Sequence, residues 1–153
     1  MFDILLNKSI KRIIQIINEE NDYKIRDSLK ERTFKLLKLL NNDEMLNGSC
    51  DQNKKIPLKC GTRCFIMSLI LLERLYESGF VLDKNNIIVN LDLCMIISFK
   101  LSVDDVYENL FLNLFNISSK NLFSLEIGIC EKIHYKLFIC EEEYNKKIMT
   151  LLT

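Results

Sequence analysis

NNIIVNLDLCMIISFKL, residues 85–101, holds 11 apolar side chains in 17 positions, and only Asn90, Asp92, Ser98 and Lys100 interrupt the run after its two opening asparagines. Apolar residues fall on every side of a helix drawn through it, which suits an element in the middle of a bundle better than one lying on a surface. Asp83 stands just upstream, where its carboxylate can cap the first turn. The preceding stretch CFIMSLILLERLY, residues 64–76, has the same character. Thr62 is read as its N-cap and Ser78-Gly79 as its stop, giving a second largely buried helix.

Working outward, Phe2, Leu5, Leu6, Ile10, Ile13, Ile14 and Ile17 recur at helical spacing with Lys8, Lys11 and Arg12 between them, so the first 20 residues form an amphipathic helix. Asn21-Asp22 breaks the pattern. Ile25, Leu29, Phe34, Leu36, Leu37 and Leu40 resume it until the polar cluster Asn41 to Glu44. Residues 41–61 hold two of the four glycines and the only proline, and they read as a long exposed, flexible connection. Beyond the central stretch, Asp104-Asp105 opens a short helix through Leu114. Ser118 caps a longer one from Ser119 to about Ile133, and Glu141 to Glu143 open a last helix, 141–153, at its positive dipole end. KLFIC, residues 136–140, is the one segment that could be extended. Seven helices in a single domain, 1–153, are the expectation.

Composition supports the same class. With 4 Gly and 1 Pro in 153 residues, turn-makers are too scarce for a sandwich or barrel of many short strands. Lys and Arg total 21 and so do Asp and Glu, so the formal net charge is zero and no whole-protein field draws in nucleic acid or an anionic membrane. Neither half carries a basic stripe or a charged tail. No apolar run reaches the ~18 residues of a membrane helix. The N-terminus lacks the pattern of a signal peptide, which leads to an expectation of a soluble protein of the cytoplasm, the nucleus or both.

The six cysteines read as reduced thiols, since Cys94 and Cys130 sit inside apolar runs. Cys60-Gly-Thr-Arg-Cys64 resembles half of a zinc site, but no second half follows, and the single histidine, His134, lies far downstream. No metal or cofactor is expected. With one histidine, no glycine-rich phosphate loop and no nucleophile elbow, no catalytic set can be assembled, so an enzyme is not expected. Two charges stand out instead: Lys100 between Phe99 and Leu101, and Glu126 between Leu125 and Ile127. A charge among apolar neighbours must reach water or meet its opposite. Each side chain can snorkel to solvent on its own, or the two can satisfy each other across packed helices.

CFIMSLILLERL (64–75), GFVL (79–82), the long helix ending in Lys100, and SLEIGICEKIHYKLFICEEEY (124–144) together resemble a cyclin box, and in particular the P-type and U-type cyclins. The second box helix of that family reads approximately CLIMALIYIDRL, which sets Ile66-Met67, Leu69-Ile70 and Arg74-Leu75 in register without a gap. From Asn121 to Tyr144 the residues Leu122, Leu125, Glu126, Ile129, Ile133, Tyr135, Leu137, Ile139 and Tyr144 fall on the family pattern. The resemblance covers residues 62–144, and the N-terminal helix is similar to the one that precedes the box. It departs from the family at Glu73 for an aspartate, Ile88-Val89 for a His-Arg pair, Phe115-Asn116 for a Gly-Gly pair and Tyr135 for a phenylalanine.

What the resemblance implies is a single five-helix cyclin box, 24–137, with one further helix at each end. It also implies a function: a regulatory subunit that binds and activates a cyclin-dependent Ser/Thr protein kinase without doing chemistry itself. In the family a lysine ending the third box helix and a glutamate in the fifth pair and bind the kinase, and Lys100 and Glu126 occupy those positions. Ile97, Leu101, Ile127, Cys130, Tyr135 and Leu137 would complete the kinase-binding surface. The alternative is a cyclin-box scaffold or transcription-related adaptor that binds no kinase.

Overall fold

The computed structural model describes residues 2–42, 60–102 and 118–153, and within them the chain is helical with no strand. Among the described residues six helices follow in order: α1 (Phe2–Ile17), α2 (Tyr23–Asn42), α3 (Cys60–Glu77), α4 (Ile87–Ser102), α5 (Ser119–Lys132) and α6 (Glu141–Leu152). The expected helix 104–114 and most of the expected loop 41–61 lie outside the described residues, as do Phe115 and Asn116.

The two helices with apolar side chains all round lie against each other in the centre, and their shared face is the largest helix–helix contact. Phe65, Ile66, Leu69, Leu72 and Leu75 of α3 meet a core that includes Leu91, Cys94, Met95, Ile96 and Phe99 of α4. Around this pair, α1 packs on α2, α3 and α6, and α5 packs on α4. The amphipathic spacing of α1 takes Leu5, Leu6, Ile10, Ile13, Ile14 and Ile17 into the same core. Buried hydroxyls inside these helices turn back on their own backbone: Ser98 Oγ donates to the Cys94 carbonyl at 2.8 Å, Ser68 to Phe65 at 2.6 Å, and Ser9 to Leu5 at 2.6 Å. These three hydroxyls are therefore satisfied inside the core within their own helices.

Helix ends follow local chemistry with one exception. Asp83 Oδ1 accepts from the backbone N–H groups of Asn85 and Asn86 at 2.8 and 3.0 Å, just ahead of α4. Asp22 does the same for Lys24 and Ile25 ahead of α2, and Ser118 Oγ takes the Asn121 N–H ahead of α5. Gly79, at φ +94°, ends α3 in the left-handed conformation that a side chain resists. The exception is Thr62. Instead of capping α3 it lies in the first turn, because the helix already begins at Cys60, and Gly61 and Thr62 are both buried. Packing there outweighs capping preference. Residues 136–140 form neither helix nor strand.

Candidate functional site

Glu126 occupies a core position of α5. Leu122, Glu126, Ile129, Cys130 and Ile133 recur at three- and four-residue spacing, and all of them are buried. A carboxylate on that stripe is expensive to ionise unless a cation reaches it. Lys100, in the last turn of α4, supplies one: its Nζ donates to Glu126 Oε2 at 3.0 Å and stands 3.0 Å from Oε1. The pair is asymmetric, since the Glu126 side chain is 10% exposed and that of Lys100 34%. A cation in the last turn also suits the negative end of the α4 dipole. Of the two ways for these charges to be satisfied, mutual pairing is what the fold adopts.

The apolar residues expected around the pair divide into two groups. Ile97 and Cys130 belong to the core at 5% and 8% exposure, so they offer little surface. Leu101 and Tyr135 are exposed, and Ile127 and Leu137 are half-buried. Phe123 and Leu125 on α5 and Phe138 beyond it are also exposed, apolar side chains that the resemblance did not place on the kinase-binding surface. Phe123 stands one helical turn from Ile127 and shares its face. Tyr135 follows His134 in a turn where both residues have positive φ, 55° and 56°.

The thiols near this site are unreactive in character. Burial, with the Glu126 charge added to it, pushes the Cys130 thiol above its ordinary range. Cys94 is pushed up to about 12 by burial and by Cys130. Neither is poised as a thiolate nucleophile. Among the described residues no cluster of His, Cys, Asp and Glu could hold a metal ion, and no helix is long and apolar enough to cross a membrane.

A second constellation escaped the sequence reading. Glu73 of α3 accepts from Arg12 Nε of α1 at 2.6 Å through one oxygen and from Lys147 Nζ of α6 through the other. Burial pushes this carboxyl up, but the hydrogen bonds and charges of Lys147 and Arg12 outweigh it and hold it below the usual carboxylate range. Next to it, Arg74 donates to the Lys136 carbonyl at 2.6 Å and to Glu143 Oε2 at 2.7 Å. Adjacent residues of one helix thus fasten both terminal helices. Arg63 lies 5.5 Å from the ring centre of Tyr144, a further tie between α3 and α6.

No protein-family model, no curated protein and no solved structure matches the chain.

Proposed function

We propose that this chain is a cyclin-like regulatory subunit that binds and activates a cyclin-dependent Ser/Thr protein kinase. The observation that supports the reading is the Lys100–Glu126 pair, which joins the end of α4 to α5 with one partner buried and the other half in solvent. Leu101, Tyr135 and the α5 side chains Phe123 and Leu125 provide exposed apolar area of the kind that interfaces bury. A partner covering the pair gains from a charge already fixed in place, since the ordering cost is met by the fold.

The mechanism is differential binding. A kinase of this kind is active when its regulatory helix is swung inward and carries the glutamate that pairs with the phosphate-orienting lysine. A rigid surface complementary to the inward state shifts the kinase toward activity by as much as it prefers that state over the other. The subunit itself does no chemistry.

The test uses purified protein and a panel of cyclin-dependent kinases, reading complex formation and phosphorylation of a peptide. Reversal of one charge, Lys100→Glu, is expected to weaken a complex by at least about tenfold, because truncating or reversing one member of a desolvated pair commonly costs ~2–5 kcal/mol of affinity. Normal binding and activation by a Lys100→Glu protein that circular dichroism shows to be folded would defeat the mechanism. Recovery of structural proteins but no kinase from native extract would favour the scaffold reading.

A further inference from the structure

Three helices that are distant in the chain line one cleft of about 650 Å³. α1 contributes Lys8, Lys11 and Arg12, which share one face at three- and four-residue spacing. α6 brings Lys146 and Lys147, and α3 brings Arg74. Against these six cations stand three carboxylates, Glu73, Glu77 and Glu143. Counted over side chains, a protein of zero net charge has therefore gathered a local excess of three positive charges in one concavity. The two ends of the sequence that carry them, 8–12 and 146–147, are each too short to read as a basic stripe, and only the fold unites them.

The pairing pattern separates wall from binding groups. Glu73 holds Arg12 and Lys147, and Glu143 holds Arg74, so these side chains are fixed in place. Lys8, Lys11 and Lys146 are exposed and form no ion pair among the described residues. The buried side chains of Ile70 and Leu151 also line the cleft. Free ammonium groups over a braced, partly apolar cleft match a ligand with several negative groups on a short scaffold.

We propose that this cleft docks a short acidic segment of a partner protein, its carboxylates or phosphoryl groups meeting Lys8, Lys11 and Lys146. Size favours such an occupant. The α1 wall from Lys8 to Gln15 spans roughly 10 Å at ~1.5 Å per residue, the length of about three extended peptide residues at ~3.3 Å each. A nucleic-acid backbone fits less well, because its continuous phosphates would pass Glu77 and Glu143 and would find no wider basic surface on a molecule whose remaining charge is negative. The inference stands apart from kinase activation, which concerns the α4–α5 side of the molecule.

Fluorescence polarisation with two labelled probes tests it: a peptide with four consecutive glutamates, and one with two phosphoserines among alanines. Saturable binding is expected for at least one, weaker as salt rises. The triple variant Lys8→Gln, Lys11→Gln, Lys146→Gln should lose about tenfold or more in affinity, each exposed pair contributing a modest share. Lys30→Gln, Lys84→Gln, Lys120→Gln removes the same charge elsewhere and should lose less than about twofold. Preference for the phosphoserine probe assigns the cleft to phosphorylated segments, and equal binding assigns it to acidic runs. The proposal is overturned by absence of saturable binding of either probe, by equal losses in the two folded triples, or by a labelled hexanucleotide RNA that binds more tightly and loses that binding in the first triple.

Discussion

Lys100 and Glu126 sit 26 residues apart, yet the ammonium of one lies 3.0 Å from both carboxylate oxygens of the other. Because Glu126 is the buried member, the pair is better described as a cation reaching in to a carboxylate than as a surface bridge. Removing the two partners should then have unequal effects. Lys100→Ala leaves a nearly buried carboxylate without its cation and should cost about 1–3 kcal/mol at pH 7, whereas Glu126→Gln leaves an ammonium that can turn to water and should cost less. Urea unfolding of the single variants and of Lys100→Ala/Glu126→Gln checks this; additive losses would show that the two residues do not interact.

The Glu73 junction should behave as a three-helix clamp. Replacing Glu73 with Gln removes the negative charge and one of the two acceptor oxygens shared by Arg12 and Lys147, and a loss of about 1–3 kcal/mol is expected. Arg12→Ala and Lys147→Ala should each cost less than Glu73→Gln, and both should become nearly neutral in the Glu73→Gln background. The pH sign follows from the depressed carboxyl. Its stabilisation is complete above the ordinary carboxylate range and is lost as pH falls through the lower folded-state value, so acid should unfold the native protein over a range where the Glu73→Gln protein shows a shallower dependence. Equal acid dependence of the two would remove Glu73 from this role.

Asp92 should tilt the other way. It pairs with Arg32 at 2.9 Å, but burial outweighs the guanidinium and pushes its carboxyl up to about 6. A raised folded value means that the native state binds the proton more readily than the unfolded chain between the ordinary carboxylate range and about 6. Native stability attributable to this group therefore rises as pH falls from 7 toward 4, by about 1–3 kcal/mol at most. Urea midpoints of the native and Asp92→Asn proteins at pH 7, 6 and 5 measure it; the native midpoint should rise relative to that of Asp92→Asn toward acid. A constant difference across that range would exclude the effect.

Periodicity exposed α1, α3, α4 and α5 because each carries an apolar stripe or an apolar run that only a core can satisfy, and the caps at Asp83 and Ser118 set two of the boundaries. Lys100 and Glu126 were legible for the same reason: a charge among apolar neighbours demands an explanation. The Glu73 junction was not legible, because Arg12 and Lys147 look like ordinary polar-face residues, Glu73 has a charged neighbour in Arg74, and their meeting depends on how α1, α3 and α6 pack. The start of α3 was missed because Thr62 has cap chemistry while the burial of Gly61 and Thr62 is a tertiary property.

The turn between α5 and α6 offers the last prediction. His134 and Tyr135 adopt φ values of 55° and 56°, and two successive left-handed residues with side chains are costly, roughly 1–2 kcal/mol each. The backbone accepts the cost because the turn is tied down: the Tyr135 N–H donates to the Cys130 carbonyl at 2.8 Å and the His134 N–H to Glu131 at 3.0 Å, closing the end of α5. His134 is exposed, so its side chain contributes little packing to offset that cost. Glycine at this position relieves the native strain while giving the unfolded chain more freedom, and the two effects leave a net gain of about 0–1 kcal/mol. A β-branched residue has the opposite balance, and His134→Val should lose about 1–2 kcal/mol. Thermal unfolding should therefore rank His134→Gly at or above the native protein and His134→Val clearly below it; a valine variant as stable as the glycine one would mean that the turn is not held in the left-handed region.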